Sequence, residues 1–280
     1  MNALHSINYL YSVSGFFVGL LVGLTGVGGG ALMTPLLILL FGIQPATAVG
    51  TDLLYAAATK TAGSLVHGWN RTIDWRVVRR LAAGSVPMTI VTIFALSRLD
   101  INSSAARDLI TSALTIALFI TALMLIFRKR IAARYTTRIT ALPPARVAVL
   151  TVIVGGVLGV LVSLTSVGAG AIGVTALVLL YPNLPTSRIV GSDIVHAVPL
   201  ALAAGAGHWY LGSVDWAVFL SLIVGSIPGI LIGSYAAPRI PDTALRMVLA
   251  ATLIVVATKM TVGLMPASWH VGATQTAQSH

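Results

Sequence analysis

Ten apolar stretches, near residues 8–24, 30–42, 46–66, 77–97, 109–127, 147–164, 170–181, 187–207, 216–236 and 245–264, set the terms on which this chain can fold. A helix needs about 20 apolar residues to cross roughly 30 Å of hydrocarbon at about 1.5 Å per residue. Most of the stretches come near that length, so the chain reads as an all-α polytopic membrane protein. Charge content agrees, because only 9% of the 280 residues are charged and 57% are hydrophobic, whereas a soluble domain carries about 25% charged residues. The second stretch of each set of five is short: about 12 residues reach only some 18 Å.

The two sets of five are related in sequence, which points to a duplicated unit. Leu24-Thr25-Gly26-Val27-Gly28-Gly29-Gly30-Ala31 matches Leu164-Thr165-Ser166-Val167-Gly168-Ala169-Gly170-Ala171 at a constant offset. One residue further out of step, Gly50-Thr51-Asp52 matches Gly191-Ser192-Asp193, His67 matches His208, and Asp74-Trp75 matches Asp215-Trp216. Gly84-Ser85-Val86-Pro87 likewise matches Gly225-Ser226-Ile227-Pro228, and Arg98 matches Arg239. The organisation expected is a first membrane repeat over 1–127, a basic cytoplasmic linker over 128–146, a second repeat over 147–264 and a disordered polar tail over 265–280.

The net charge of +10 would suit nucleic acid in a soluble protein, but here the bases gather in short loops, where they set orientation against the cytoplasmic face. No nucleic-acid partner is expected; the bilayer is. With an odd number of crossings per unit, the loops 67–80, 128–146, 182–188 and 237–246 share one face and hold thirteen bases, against Arg98 and Arg107 opposite. That bias favours inverted repeats, each a broken Gly-rich helix pair followed by three full spans, in the cytoplasmic membrane. A parallel duplication of four spans is the alternative. The chain has no cysteine, which excludes disulfides and thiolate metal sites. The first eleven residues hold no Lys or Arg and no small-residue cleavage pattern, so the first stretch is expected to stay in the mature protein.

Thr25, Gly26, Gly28, Gly29 and Gly30, with Thr165, Ser166, Gly168 and Gly170, form the two candidate substrate-binding breaks. Glycine inside a helix costs about 1 kcal/mol relative to alanine, so such clusters argue for an unwound turn. Unwound backbone in lipid must be buried in protein or line a polar cavity, and matching breaks in two halves are expected where discontinuous helices meet near the midplane. The short helix that follows each break presents free N–H groups and a positive dipole end, which favours a small anion. No Lys-Ser/Thr pair or preceding strand accompanies the glycines, so a nucleotide loop is excluded. Tight helix packing is the competing explanation.

Asp52, Lys60, Asp193 and His196 fall inside apolar stretches, where an unpaired charge costs at least about 2.5–3.5 kcal/mol. The two aspartates occupy equivalent places and suit proton coupling or a polar contact in the site; alternatively each caps the helix that its Gly-Thr-Asp or Gly-Ser-Asp motif opens. Lys60 lies about 80° round the helix from Asp52, where it can attract an anion, neutralise Asp193 across the interface or snorkel outward. His196 stands in the place of Tyr55, as a packed hydrogen-bonding residue or a relay. His67 and His208 are expected on loops, Asp74 and Asp215 as helix caps, and Pro87 and Pro228 as kinks.

The doubled Thr-Gly-Val-Gly-Gly-Gly break, the Ala-Val-Gly-Thr-Asp motif and the His67…Asp74-Trp75 segment together resemble the sulfite exporter TauE/SafE family, from about Gly15 to Lys259. The resemblance implies a secondary transporter for a small sulfur-containing anion (sulfite, a sulfonate or a sulfoacetate-like compound), driven by the proton or membrane potential. The second break has fewer glycines, and an aspartate stands where the family more often has Gly-Thr-Ser. That added carboxylate repels an anion unless it is protonated or paired. A cation or metal carrier using the intramembrane aspartates is the alternative. An enzyme is not expected, since the spans hold two separated aspartates and no glutamate where acid–base or metal chemistry needs a cluster. No cofactor or metal is expected; a homo-oligomer is left open.

Overall fold

The computed structural model describes residues 9–25, 30–69, 71–101, 103–140, 142–236 and 242–264. They form ten helices: α1 (Tyr9–Thr25), α2 (Gly30–Phe41), α3 (Pro45–Trp69), α4 (Trp75–Ser97), α5 (Ser104–Thr140), α6 (Pro144–Thr165), α7 (Ala171–Leu180), α8 (Thr186–Tyr210), α9 (Trp216–Ala236) and α10 (Asp242–Leu264). Prolines open three of them: Pro45 is the first residue of α3 and Pro144 of α6, and Pro185 immediately precedes α8. Proline's fixed φ suits a first helical turn, and its missing N–H is one the helix could not use. Asp74 caps α4 by accepting from the N–H groups of Arg76 and Val77 (3.0 and 3.4 Å). Asp215 caps α9 in the same way through Ala217 and Val218 (2.9 and 3.0 Å).

Six helices, α4, α5, α6, α8, α9 and α10, are long and apolar enough to cross a membrane. Their outward faces are apolar: Phe94, Ile116, Val149 and Leu231 are all more than half exposed, a pattern that water does not tolerate over so wide a surface. The short α2 and α7, of 12 and 10 residues, match the expected lengths. The membership of the spanning set differs from expectation in two places. Helix α6, expected as part of a short broken pair, has 22 residues and qualifies, whereas the more polar α3 does not, although it has 25. The basic segment 128–146 is not a loop for most of its length, because α5 continues as helix to Thr140. Helices α4 and α9 continue through Pro87 and Pro228 without interruption.

Packing pairs helices of the first five with helices of the last five. The main contacts are α1 with α9, α4 with α6, α3 with α8 and α5 with α10. Glycines set the first three. A Cβ on Gly15 would strike the backbone of Leu222 and one on Gly19 that of Ser226, while Gly225 and Gly229 meet the backbone of Ser12 and Phe16. Gly84 meets Val152, and Gly155 and Gly159 meet Leu81 and Ser85, in the same manner. Lipid tails are as apolar as leucine, so close backbone contact and its dispersion energy hold such pairs together. Two apolar clusters result. One joins α1, α2, α9 and α10, the other α4, α6 and α8, and α3, α5 and α7 contribute to both.

Helices α3 and α8 run antiparallel through the centre. Gly50 abuts His208 and Ser213, Gly205 abuts Leu54, Gly63 abuts Ile194, and Gly191 abuts His67 and Thr72. His67 and His208 therefore lie in the last turns of α3 and α8, not on the loops beyond. The helices persist that far because each end is held by the other helix: the start of α8 supports the end of α3, and the reverse.

Candidate functional site

The second break is visible in full. Helix α6 stops where Ser166 turns left-handed (φ 58°), and the chain passes through Gly168 (φ 124°) and Gly170 (φ 118°) before α7 begins. Two of these three positions need glycine's freedom; Ser166 takes the left-handed cost in exchange for turning its hydroxyl inward. Thr165 secures the turn: its hydroxyl donates to the Leu161 carbonyl (2.6 Å) and accepts from the Val167 N–H (3.1 Å). In the first half, α1 ends at Thr25 and α2 starts at Gly30; Gly26, Gly28 and Gly29 lie outside the described residues.

Asp52 and Asp193 are each about two turns inside their helices, since α3 starts at Pro45 and α8 at Thr186. The capping expectation is thereby overturned: the prolines, not the Gly-Thr-Asp and Gly-Ser-Asp motifs, mark the helix starts. Both side chains are buried, at 0% and 1% exposure, and the neighbours that satisfy them are few. Asp52 Oδ2 accepts from Thr34 Oγ1 of α2 (2.5 Å), and Ser166 of the second break lies close enough to interact with the same carboxylate. Asp193 packs on Gly173 of α7 and approaches the Gly170 backbone at the α7 N-terminus. Asp52 Oδ1, Asp193 Oδ1 and Ser166 Oγ are buried without a hydrogen-bond partner. Buried polar atoms are satisfied in about nine cases of ten or more, so three such atoms around one break mark a polar locus with unused bonding capacity.

Lys60, half-buried in α3, lies along the helix pair between the two carboxylates. Its ammonium interacts electrostatically with Asp193, with Asp52 and with His196. His196 is fully buried, and its Nε2 shares a 2.8 Å hydrogen bond with Ser85 Oγ of α4 while Nδ1 has no partner. Its counterpart Tyr55 is equally buried and has its hydroxyl near Ser226 of α9. Among the described residues, no three His, Asp or Glu side chains converge to hold a metal ion.

Several members of this locus escape a reading of the sequence. Thr34 is one threonine in an apolar helix. Ser85 and Ser226 sit in the Gly-Ser-x-Pro segments that suggest only a kink; their alignment with His196 and Tyr55 at a shared offset was the available signal. His208, expected on a loop, is a helical residue near the break. It is completely buried and its Nε2 donates to the Ser163 carbonyl (2.9 Å), tying the end of α8 to the last turns of α6 before the break. A separate cavity of about 400 Å³ lies at the α2–α3 turn, lined by Gln44, Arg107, Asp108, Thr111 and Lys259 among others.

A polytopic helical membrane protein with a broken central helix and buried carboxylates has the build of a membrane carrier. Residues 11–260 match the family described as Sulfite exporter TauE/SafE, so the chain belongs to that family of membrane transporters and is not an enzyme. It is 40% identical over 247 residues to the probable membrane transporter protein YjnA of Bacillus subtilis (strain 168), covering 88% of this chain and 96% of that one. It is 25% identical over 235 residues to the probable membrane transporter protein YdhB of the same bacterium, covering 82% and 91%. A probable membrane transporter protein of Xylella fastidiosa (strain 9a5c) is 28% identical over 232 residues, covering 81% and 83%. No solved structure matches the chain.

Proposed function

We propose that the chain carries a small sulfur-containing anion, such as sulfite, a sulfonate or a sulfoacetate-like compound, across the cytoplasmic membrane by alternating access, coupled to protons or the membrane potential. The family name supports the substrate class. The observation that carries the coupling is the placement of the buried Asp193 carboxylate against Gly173 in the first turn of α7, where the helix dipole and free N–H groups suit an oxyanion. The protein's own carboxylate holds the place the substrate would take.

With both aspartates ionised and Lys60 protonated, the locus carries one net negative charge and repels an anion. One proton makes it neutral, and a second makes it attractive. Protonating Asp193 also weakens its hold on the α7 N-terminus and releases that position. Proton uptake and anion binding are thereby coupled by charge balance in a place where desolvation makes imbalance expensive. In this reading Thr25, Gly26, Gly28, Gly29, Gly30, Thr165, Ser166, Gly168 and Gly170 shape the anion site, Thr165 by fixing the turn. Lys60 supplies compensating charge, and His196 is a polar neighbour.

Two inverted units rocking about this locus supply the alternating access. The cross-packing supports them: α1 on α9 is the counterpart of α6 on α4, and α3 on α8 is its own counterpart, as a two-fold relation between halves requires. A cation carrier using the free carboxylate oxygens is the second reading, favoured by Asp52 Oδ1 and Asp193 Oδ1.

The test is flux of radiolabelled sulfite, sulfonates and sulfate in proteoliposomes, with and without a pH gradient, for the parent and for Asp52→Asn and Asp193→Asn. Anion flux that follows the gradient, and loses that dependence in either variant, is the expected result. Cation flux without anion flux moves the assignment to the second reading.

A further inference from the structure

The Gly-Thr-Asp and Gly-Ser-Asp motifs do more than supply carboxylates. The Asp215 N–H, at the start of α9, donates to Thr51 Oγ1 (3.0 Å), and the Asp74 N–H, at the start of α4, donates to Ser192 Oγ (2.8 Å). Each bond joins a motif of one half to the loop of the other. Both hydroxyl residues are buried, at 1% and 0% exposure. Both acceptors meet an amide that no helix can use, because the N-cap N–H lies ahead of the first intrahelical bond.

The two bonds sit at opposite ends of the antiparallel α3–α8 pair. Thr51 is near the start of α3, beside the end of α8, and Ser192 is near the start of α8, beside the end of α3. From Thr51 to His67, which abuts Gly191 beside Ser192, is 16 residues of α3, or about 24 Å at the helical rise. In each motif the glycine lets the opposing segment approach, as Gly50 meets Ser213 and Gly191 meets Thr72. The hydroxyl then holds that segment, and the adjacent aspartate reaches the central locus. A change at Asp52 or Asp193 is thus one residue away from the hold on one end.

We infer that Thr51 and Ser192 are paired gate residues: each hydroxyl latches the opposite half's loop shut at its own end of α3–α8, and release of one latch at a time opens the site to one side of the membrane. This rests on the alternating-access reading. With both bonds made, the structure is the occluded state. The ends differ in shielding: Ser213 and His208 are buried at the Thr51 end, whereas His67 and Thr72 are only half-buried at the Ser192 end.

The chain has no cysteine, so single reporters can be placed on an otherwise unreactive background. Ile73→Cys and Val214→Cys flank the two donor amides, and both positions are half-buried. Labelling by a membrane-impermeant maleimide is followed in proteoliposomes. Thr51→Val is expected to raise labelling at the 214 reporter by about threefold or more, with little change at 73, and Ser192→Ala to do the reverse. Thr51→Ser, which keeps the hydroxyl, should restore the parent rate. Should Thr51→Val not insert, Thr51→Ala removes the same bond without adding bulk and carries the same expectation. Equal changes at both ends, or none at either, overturn the latch. Added sulfite should move the two parent reporters in opposite directions. If it moves neither while the variants still act end by end, the latches stand and the sulfite-transport reading fails.

Discussion

Helices α1 and α9 and helices α3 and α8 are both brought together by glycines, which meet the opposing helix backbone in the first pair and side chains and flanking-segment backbone in the second, yet the pairs differ in what they leave unsatisfied. Among the described residues, α1 and α9 hold no buried side-chain oxygen or nitrogen without a partner; Ser12 and Ser221, for instance, donate to the carbonyls of Ser221 and Ala217 (2.9 and 2.7 Å). Seven of the ten such atoms belong to α3 and α8, among them Asp52 Oδ1, Asp193 Oδ1 and His196 Nδ1. A glycine contact by itself therefore does not separate packing from function. Unused bonding capacity beside it does, because leaving a polar group unpaired in a protein interior costs about 1–3 kcal/mol that a purely structural interface has no reason to bear.

The contrast can be broken in four places. The largest effect is expected at Gly229→Leu in α9, where any side chain meets the backbone of Phe16 and Leu20. Overpacking of this kind costs about 3 kcal/mol or more, so thermal unfolding in detergent should show a marked loss of stability, with transport falling only as folded protein is lost. Asp193→Asn should do the opposite: near-parent stability, with proton-coupled flux down about tenfold, equivalent to about 1.4 kcal/mol of barrier. If Asp193→Asn instead destabilises the protein as much as Gly229→Leu, the division between the pairs fails. Ser85→Ala leaves His196 Nε2 without its partner and should lower stability by about 1–2 kcal/mol; an unchanged melting temperature would show that water reaches His196. Trp75→Ala, at an exposed position on the α4 end (59%), should shift stability by less than about 0.5 kcal/mol.

The ten helices were legible because apolar runs bounded by proline, glycine and charge are local signals, and the Asp74 and Asp215 caps followed from their place before Trp75 and Trp216. Capping by Asp52 and Asp193 was one of the alternatives their motifs allow, but proline at or just before a first helical position is the stronger start signal, and Pro45 and Pro185 place both aspartates inside their helices. His67 and His208 looked like loop residues because histidine breaks an apolar run; only the opposing helix shows why α3 and α8 continue past them. The partners themselves were not legible. The Asp74–Ser192 and Asp215–Thr51 bonds join residues 118 and 164 apart in sequence, and nothing local to either residue indicates the other.

The pairing of α1 with α9 also has a consequence for biosynthesis. When α1 enters the membrane, the glycine-lined surface it must meet is still some 200 residues away from being translated, or about 10–40 s at ordinary ribosome speeds. Until residue 144 is passed α4 also lacks α6, and until residue 186 α3 lacks α8, so for the first part of that interval the first five helices hold one another only by secondary contacts such as α2 with α3. The membrane must shelter an open half whose polar centre faces lipid or water. The slow step of assembly is then the arrival of the second half, and substitutions that loosen α8 or α9 should raise degradation of nascent chains before they alter the finished carrier.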